Sequence, residues 1–188
     1  AWVKGSAGGG TTEMRDDTIS YYTHDDDDTD GSTSVDIAGQ NNGTIQGATT
    51  GVSGKIDEAY GFDGTDDYVN LTDTSNLSFA NYGDTFTISA WINSNNVSGA
   101  NTIFTKGNPG NSEREVYFAQ QNGGVDLRVY DGSYSNSVAA KDRSFGLQDN
   151  TWYHIVGRYR GGNGTTIDIF INGVQEEDET NDKTDSIN

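Results

Sequence analysis

Hydrophobic and polar residues alternate with a period of two along much of this chain. Thr85-Phe86-Thr87-Ile88-Ser89-Ala90-Trp91-Ile92 puts Phe86, Ile88, Ala90 and Ile92 on one face, as a half-buried strand requires. Glu115 to Gln120 and Val125 to Tyr130 flank Asn122-Gly123-Gly124 and predict a hairpin, with Val116, Phe118, Val125, Leu127 and Val129 inward. Trp152 to Tyr159 is dense in aromatic and β-branched residues, and Gly161 to Gly164 reads as a turn. Ile167-Asp168-Ile169-Phe170-Ile171 alternates again before Asn172-Gly173, so a second hairpin is predicted. No long stretch has helical periodicity, and no apolar run is long enough to span a membrane as a helix. The pattern predicts an all-β chain with a core that includes Phe62, Phe86, Ile88, Ala90, Ile103, Phe118, Leu127 and Ile169.

Several ordered motifs narrow the architecture. Trp152-Tyr153-His154-Ile155-Val156 with Ile171-Asn172-Gly173, Gly61-Phe62-Asp63-Gly64-Thr65-Asp66-Asp67-Tyr68-Val69, Thr85 to Ile92 and Thr102 to Gly107 together resemble the strand signatures of laminin-G-like, concanavalin A-like domains. Val35 to Gly47 is similar to a further segment of that family. The resemblance implies a two-sheet antiparallel jelly-roll sandwich over residues 18–174. It also implies that His154 is a packing residue. The family pattern continues beyond its Asn-Gly turn through two more strands, but Gln175 to Asn188 is polar and acidic. The closing strands are therefore expected to be missing, with residues 175–188 an acidic tail. A neighbouring subunit or domain is the expected supplier of those strands. Residues 1–17 are expected to be an arm, or the end of a preceding β domain that Trp2-Val3-Lys4 and Tyr21-Tyr22 resemble.

Length and composition agree with one such domain. The chain has 188 residues, Gly 25 and Pro 1, which suits many short strands joined by turns. Net charge is −18 and pI about 4.1, which excludes nucleic acid as an expected partner. It also argues against docking on anionic lipid. It suits divalent cations, a saline habitat or a highly solvated cell-surface protein. The absence of cysteine excludes disulfides and thiol chemistry, and points to a prokaryotic or viral source. With no leader visible before Ala1-Trp2, the chain reads as mature, processed or a fragment.

Asp26, Asp28, Asp30 and Gly31 fit the first half of a D-x-D-x-D-G calcium loop. Alternate carboxylates on a tight loop converge on one hard cation. Ser32 and Asp36 are further candidate ligands, although position twelve is Ile37 and no helices flank the loop. A solvated acidic turn is the competing reading. Asp63, Asp66 and Asp67 form a second acidic group, read as a structural turn rather than a metal site.

Tyr117, Arg128 and Tyr130 share one strand face with Asp126, and Tyr134 follows on a loop. An aromatic and polar face of this kind is a candidate for glycan binding. Glu113 and Glu115 imitate the paired carboxylates of glycan-cleaving relatives, but the third acidic residue of that strand motif is missing. The resemblance thus implies a non-catalytic extracellular adhesion or carbohydrate-binding module. The alternatives are a structural subunit of a surface assembly built by strand exchange, and a glycan-cleaving enzyme.

Overall fold

The computed structural model describes residues 17–39, 41–72, 75–78, 84–108, 113–130, 137–142, 144–161 and 166–176. The arm at 1–16, Tyr134 and the tail from 177 onward lie outside the described residues. The chain forms two compact units, Ala1–Leu77 and Ser78–Asn188. Every strand pairing among the described residues is antiparallel. Among the described residues the helical elements are two 3₁₀ turns, Asp26–Asp28 and Ser75–Leu77.

In the first unit the strands are short. Strands β1 (Thr29–Asp30), β2 (Thr33–Ser34) and β3 (Gly43–Gln46) form a sheet with β6 (Tyr68–Asn70), in the order β1-β2-β3-β6. Strands β4 (Thr49–Ser53) and β5 (Glu58–Gly61) pair separately. Gly31, at φ 62, supplies the left-handed residue of the turn between β1 and β2. Phe62, expected in the core, is 51% exposed. It follows β5 at the start of the Asp-Gly-rich turn, where no strand carries it inward.

The second unit is a sandwich. One sheet has the order β14-β13-β12-β7, from β7 (Thr85–Asn93), β12 (Trp152–Arg160), β13 (Thr166–Ile171) and β14 (Val174–Gln175). The other has the order β11-β10-β9-β8, from β8 (Ala100–Asn108), β9 (Glu113–Gln121), β10 (Gly124–Tyr130) and β11 (Ser137–Asp142). The predicted hairpins form as read. Arg128 faces Tyr117 across β10 and β9, and Ile155 faces Ile171 across β12 and β13. Asn122-Gly123 and Asn172-Gly173 both have positive φ at each residue, the requirement of a type I′ turn.

Alternate residues of both sheets meet in one core. Val116, Phe118, Leu127, Val129, Ile155, Tyr159, Ile169 and Ile171 are buried there, and Phe86 joins them. Ile88, Ala90 and Ile103, also expected in the core, pack against this cluster but are only half-buried, on strands β7 and β8 at the sheet edges. Gly157 marks the tightest approach of the sheets. A Cβ there would lie 2.8 Å from Leu127 Cδ2 and 3.0 Å from Phe118 Cε2.

Candidate functional site

The face of β9 and β10 turned away from the core carries Tyr117, Arg128 and Tyr130, as the alternation requires. The structure brings the three together. The Arg128 guanidinium lies 5.7 Å from the Tyr117 ring centroid, within cation–π range. Its Nε donates to both carboxylate oxygens of Asp126 at 3.1 and 3.2 Å, and its terminal nitrogen to Asp126 Oδ2 at 2.5 Å. Those bonds, ahead of the opposing effect of burial, raise the guanidinium above its ordinary range, and Tyr130 also bonds it. Asp126 and Tyr130 are almost fully buried, at 1% and 3% exposure. Tyr117 and the outer part of Arg128 therefore form the accessible part of this group, and Tyr130 is a buried partner of Arg128.

Two side-chain oxygens on the same face make no hydrogen bond. Glu115 Oε2 and Gln121 Oε1 are enclosed without a hydrogen-bond partner. Glu115 Oε2 is ion-paired with Lys106 Nζ at 3.9 Å, and the same ammonium donates to Ser78 Oγ at 2.8 Å. The alternation gives the positions of Glu115 and Gln121. Their unsatisfied state depends on packing and leaves no mark in the sequence.

The acidic segment of the first unit is arranged differently from a cation loop. Asp26 and Asp28 sit in a 3₁₀ turn, and Asp30 and Ser32 in the hairpin of β1 and β2. Asp26 N–H donates to Glu58 Oε2, and Asp28 Oδ2 accepts from Thr23 Oγ1. Asp36 is buried, and its carboxylate accepts the backbone N–H groups of Tyr21, Ala38 and Asn41 at 2.7, 3.0 and 3.0 Å. It holds the loop after β2 against the segment before the 3₁₀ turn, and its carboxylate is used in doing so. Among the described residues, three carboxylate oxygens come within 4.8 Å of one another at Asp63, Asp66 and Asp67.

Residues 63–188 match the Laminin_G_3 family model, the concanavalin A-like lectin/glucanases superfamily. The chain belongs to this superfamily. No curated protein and no solved structure matches it.

Superfamily membership fits the sandwich, and the acidic triad has the chemistry of a metal site. The donor set is three hard carboxylate groups, the kind that Ca²⁺ and Mg²⁺ take. Asp63 Oδ1 is already bonded by Thr65 N–H, and Asp67 Oδ2 by Asp63 N–H. Each carboxylate accepts with lone pairs to spare. Gly47 leaves room for the carboxylate of Asp67, since a Cβ there would lie 2.0 Å from Asp67 Oδ1. The triad can hold a metal ion.

The two histidines have structural surroundings. His154 Nε2 is 2.8 Å from Ser89 Oγ, and its ring lies 5.2 Å from that of Trp91. Burial lowers its pKa. His24 lies between Tyr22 and Tyr60, with ring centroids at 5.9 and 4.4 Å. Its Nδ1 is buried without a partner, and burial brings its pKa down to about 4.

Proposed function

We propose that this chain is a non-catalytic carbohydrate-binding module displayed outside the cell. The observation that carries the reading is the Tyr117–Arg128–Asp126 group on the outer face of β9 and β10. Asp126 fixes the guanidinium in a fork, and its central carbon lies over the Tyr117 ring, 5.7 Å from the centroid. A half-exposed aromatic beside a fixed planar donor is suited to a sugar, whose apolar face stacks on rings while its hydroxyls take hydrogen bonds. Superfamily membership and the charge of −18 support a solvated, glycan-facing setting. We further propose calcium as the metal of Asp63, Asp66 and Asp67, in place of the Asp26–Asp36 segment whose carboxylates are not gathered.

A glycan array probed with the full chain and with Tyr117→Ala tests the ligand. Signal from the parent, lost in the variant at unchanged melting temperature, is the expected result. An array without signal at high protein density defeats the reading.

A second reading has its own observation. The inward residues Ile88, Ala90 and Ile92 of β7, with Ile103 and Phe104 of β8, are only partly buried. Both strands end their sheets among the described residues. A strand from a neighbouring subunit or domain, added to β7, would cover them. Sedimentation detects it: reversible self-association is expected on this reading, and a monomer across the accessible concentration range argues against pairing between copies.

A further inference from the structure

We propose that Asn172 is a site of spontaneous covalent modification, deamidating to isoaspartate within the folded chain and so releasing strand β14. The chemistry is that of an asparagine followed by glycine. The backbone nitrogen of the glycine gives its proton to solvent and attacks the side-chain carbon Cγ. An N–Cγ bond forms, the Cγ–Nδ2 bond breaks, and ammonia leaves with a proton from water. Water then opens the cyclic imide. Cleavage at the side-chain carbonyl gives aspartate, and cleavage at the main-chain carbonyl gives isoaspartate. No electrons are exchanged and no cofactor is needed. A fold favours the reaction with a free glycine N–H, room for that nitrogen to move, and a donor for the oxygen on Cγ, where charge develops.

Asn-Gly pairs occur at Asn42, Asn122, Asn163 and Asn172, and the structure treats them differently. His154 N–H donates to Asn172 Oδ1 at 3.0 Å, so the oxygen that becomes negative already has a backbone donor, as in an oxyanion hole. The Gly173 N–H has no hydrogen-bond partner among the described residues. Both residues are exposed, and nothing lies within 4 Å of the position a Gly173 Cβ would take. At Asn122 the attacking nitrogen is held, since Gly123 N–H donates to Val97 O at 2.7 Å. At Asn42 the oxygen has a donor, Asp36 N–H at 2.9 Å, but Gly43 is buried in β3 and pressed against Val69 and Leu71. Asn163-Gly164 lies outside the described residues.

Isoaspartate at this position carries the main chain through the side-chain carbon, which lengthens the turn by one backbone atom. That turn sets the register of Ile171 with Val174 and of Phe170 with Gln175, and a two-residue hairpin loop has no slack to absorb the addition. Strand β14 is held by those two pairs and ends its sheet among the described residues. The new carboxylate also adds negative charge to a chain already at −18. Loss of β14 uncovers the backbone N–H and C=O groups of β13, an edge open to another strand.

The full chain is aged in mildly alkaline buffer, folded and in urea, and mapped by mass spectrometry with fragmentation that separates isoaspartate from aspartate. In urea Asn42, Asn122 and Asn172 should react at similar rates. In the folded chain Asn122 should slow by about tenfold, the cost of first breaking a hydrogen bond of ~1.4 kcal/mol, and Asn42 should slow as well. Asn172 should keep its unfolded rate or exceed it. Hydrogen exchange reports the strand: Glu176 N–H, which donates to Ile169 O at 3.0 Å, should exchange faster in the aged protein, with β12 unchanged. Asn172→Gly keeps a left-handed turn without a side-chain amide, so this variant should exchange alike when fresh and aged. Slowing of Asn172 to the folded rate of Asn122, or faster reaction at Asn122 than at Asn172, overturns the site. Isoaspartate at 172 with exchange at Glu176 unaltered, or the same change in aged Asn172→Gly, overturns the release of β14.

Discussion

His24 is held in a conformation and a protonation state that ordinary solution does not favour. Its φ of 63 is left-handed, a region histidine enters more readily than most residues. Between Tyr22 and Tyr60 its ring has no partner for Nδ1 and is neutral at pH 7, since burial brings its pKa down to about 4. In the unfolded chain the same ring titrates near ~6.5. Between those values the unfolded state binds the proton and the folded state does not. Stability from this residue is thus complete above pH ~6.5, falls as pH drops toward 4, and levels off below. The full loss is of order 3 kcal/mol. Carboxylates titrate in part of the same window, so the measurement is a difference. Urea unfolding of the parent and of His24→Asn, compared from pH 7 to 4, should show the parent losing more; parallel curves would contradict the assignment. Gly157 offers a second test at this scale. A methyl group there would press on Leu127 and Phe118, at 2.8 and 3.0 Å, and the surrounding core is closed. Gly157→Ala should destabilise by ~1–3 kcal/mol through overpacking, read by chemical denaturation. A more stable variant would mean that the sheets have slack there.

Strand β12 of the second unit was legible because it buries a single face. Period-two alternation then states both the element and its orientation, as Ile155, Gly157 and Tyr159 do in β12 against Arg158 and Arg160. What alternation does not state is how far a strand lies from a sheet edge. Ile88 and Ile155 look equivalent in sequence, yet Ile155 is fully buried in a central strand and Ile88 half-exposed on the terminal β7. Ile155→Ala should therefore cost the larger share of the ~2–5 kcal/mol range, and Ile88→Ala its low end or less. Denaturant midpoints at constant m-value decide the order. The acidic segment was less legible for a different reason. Spacing of Asp26, Asp28 and Asp30 says nothing of the backbone path between them, and a 3₁₀ turn followed by a hairpin of two-residue strands sends them apart. Asp36 accepts from Ala38 N–H, two residues on, as an Asx turn does. Its sequence context, Asp36-Ile37-Ala38-Gly39, carried that signal beside the metal-like one. The outer face of β9 and β10 stood between these cases: Tyr117, Arg128 and Tyr130 do meet, but the burial of Tyr130 and the missing hydrogen bonds of Glu115 Oε2 and Gln121 Oε1 emerge only from packing.

At the scale of the whole molecule the governing quantity is a net charge of −18. Charge of one sign destabilises a compact chain by self-repulsion, and added salt screens it. Sodium chloride should therefore raise the melting temperature gradually. Calcium should do more than screen. At Asp63, Asp66 and Asp67 three carboxylates share a space of 4.8 Å, and a divalent ion there would bind the folded chain in preference to the unfolded one. Binding to the folded state adds RT ln(1 + [L]/Kd), about 2.7 kcal/mol at a hundredfold excess over Kd. Two experiments separate the effects. Melting in calcium chloride against sodium chloride of equal ionic strength should leave a calcium-specific increment. Asp66→Asn with Asp67→Asn should remove that increment while leaving the sodium response in place, because two charges of eighteen scarcely alter the screening. The same pair of substitutions relieves repulsion within the triad, so in chelator the variant should melt at or above the parent's temperature. A calcium increment that survives in the variant would move the ion elsewhere in the chain, and its absence from the parent would leave the triad a turn held by the bonds of Asp63 and Asp67 alone.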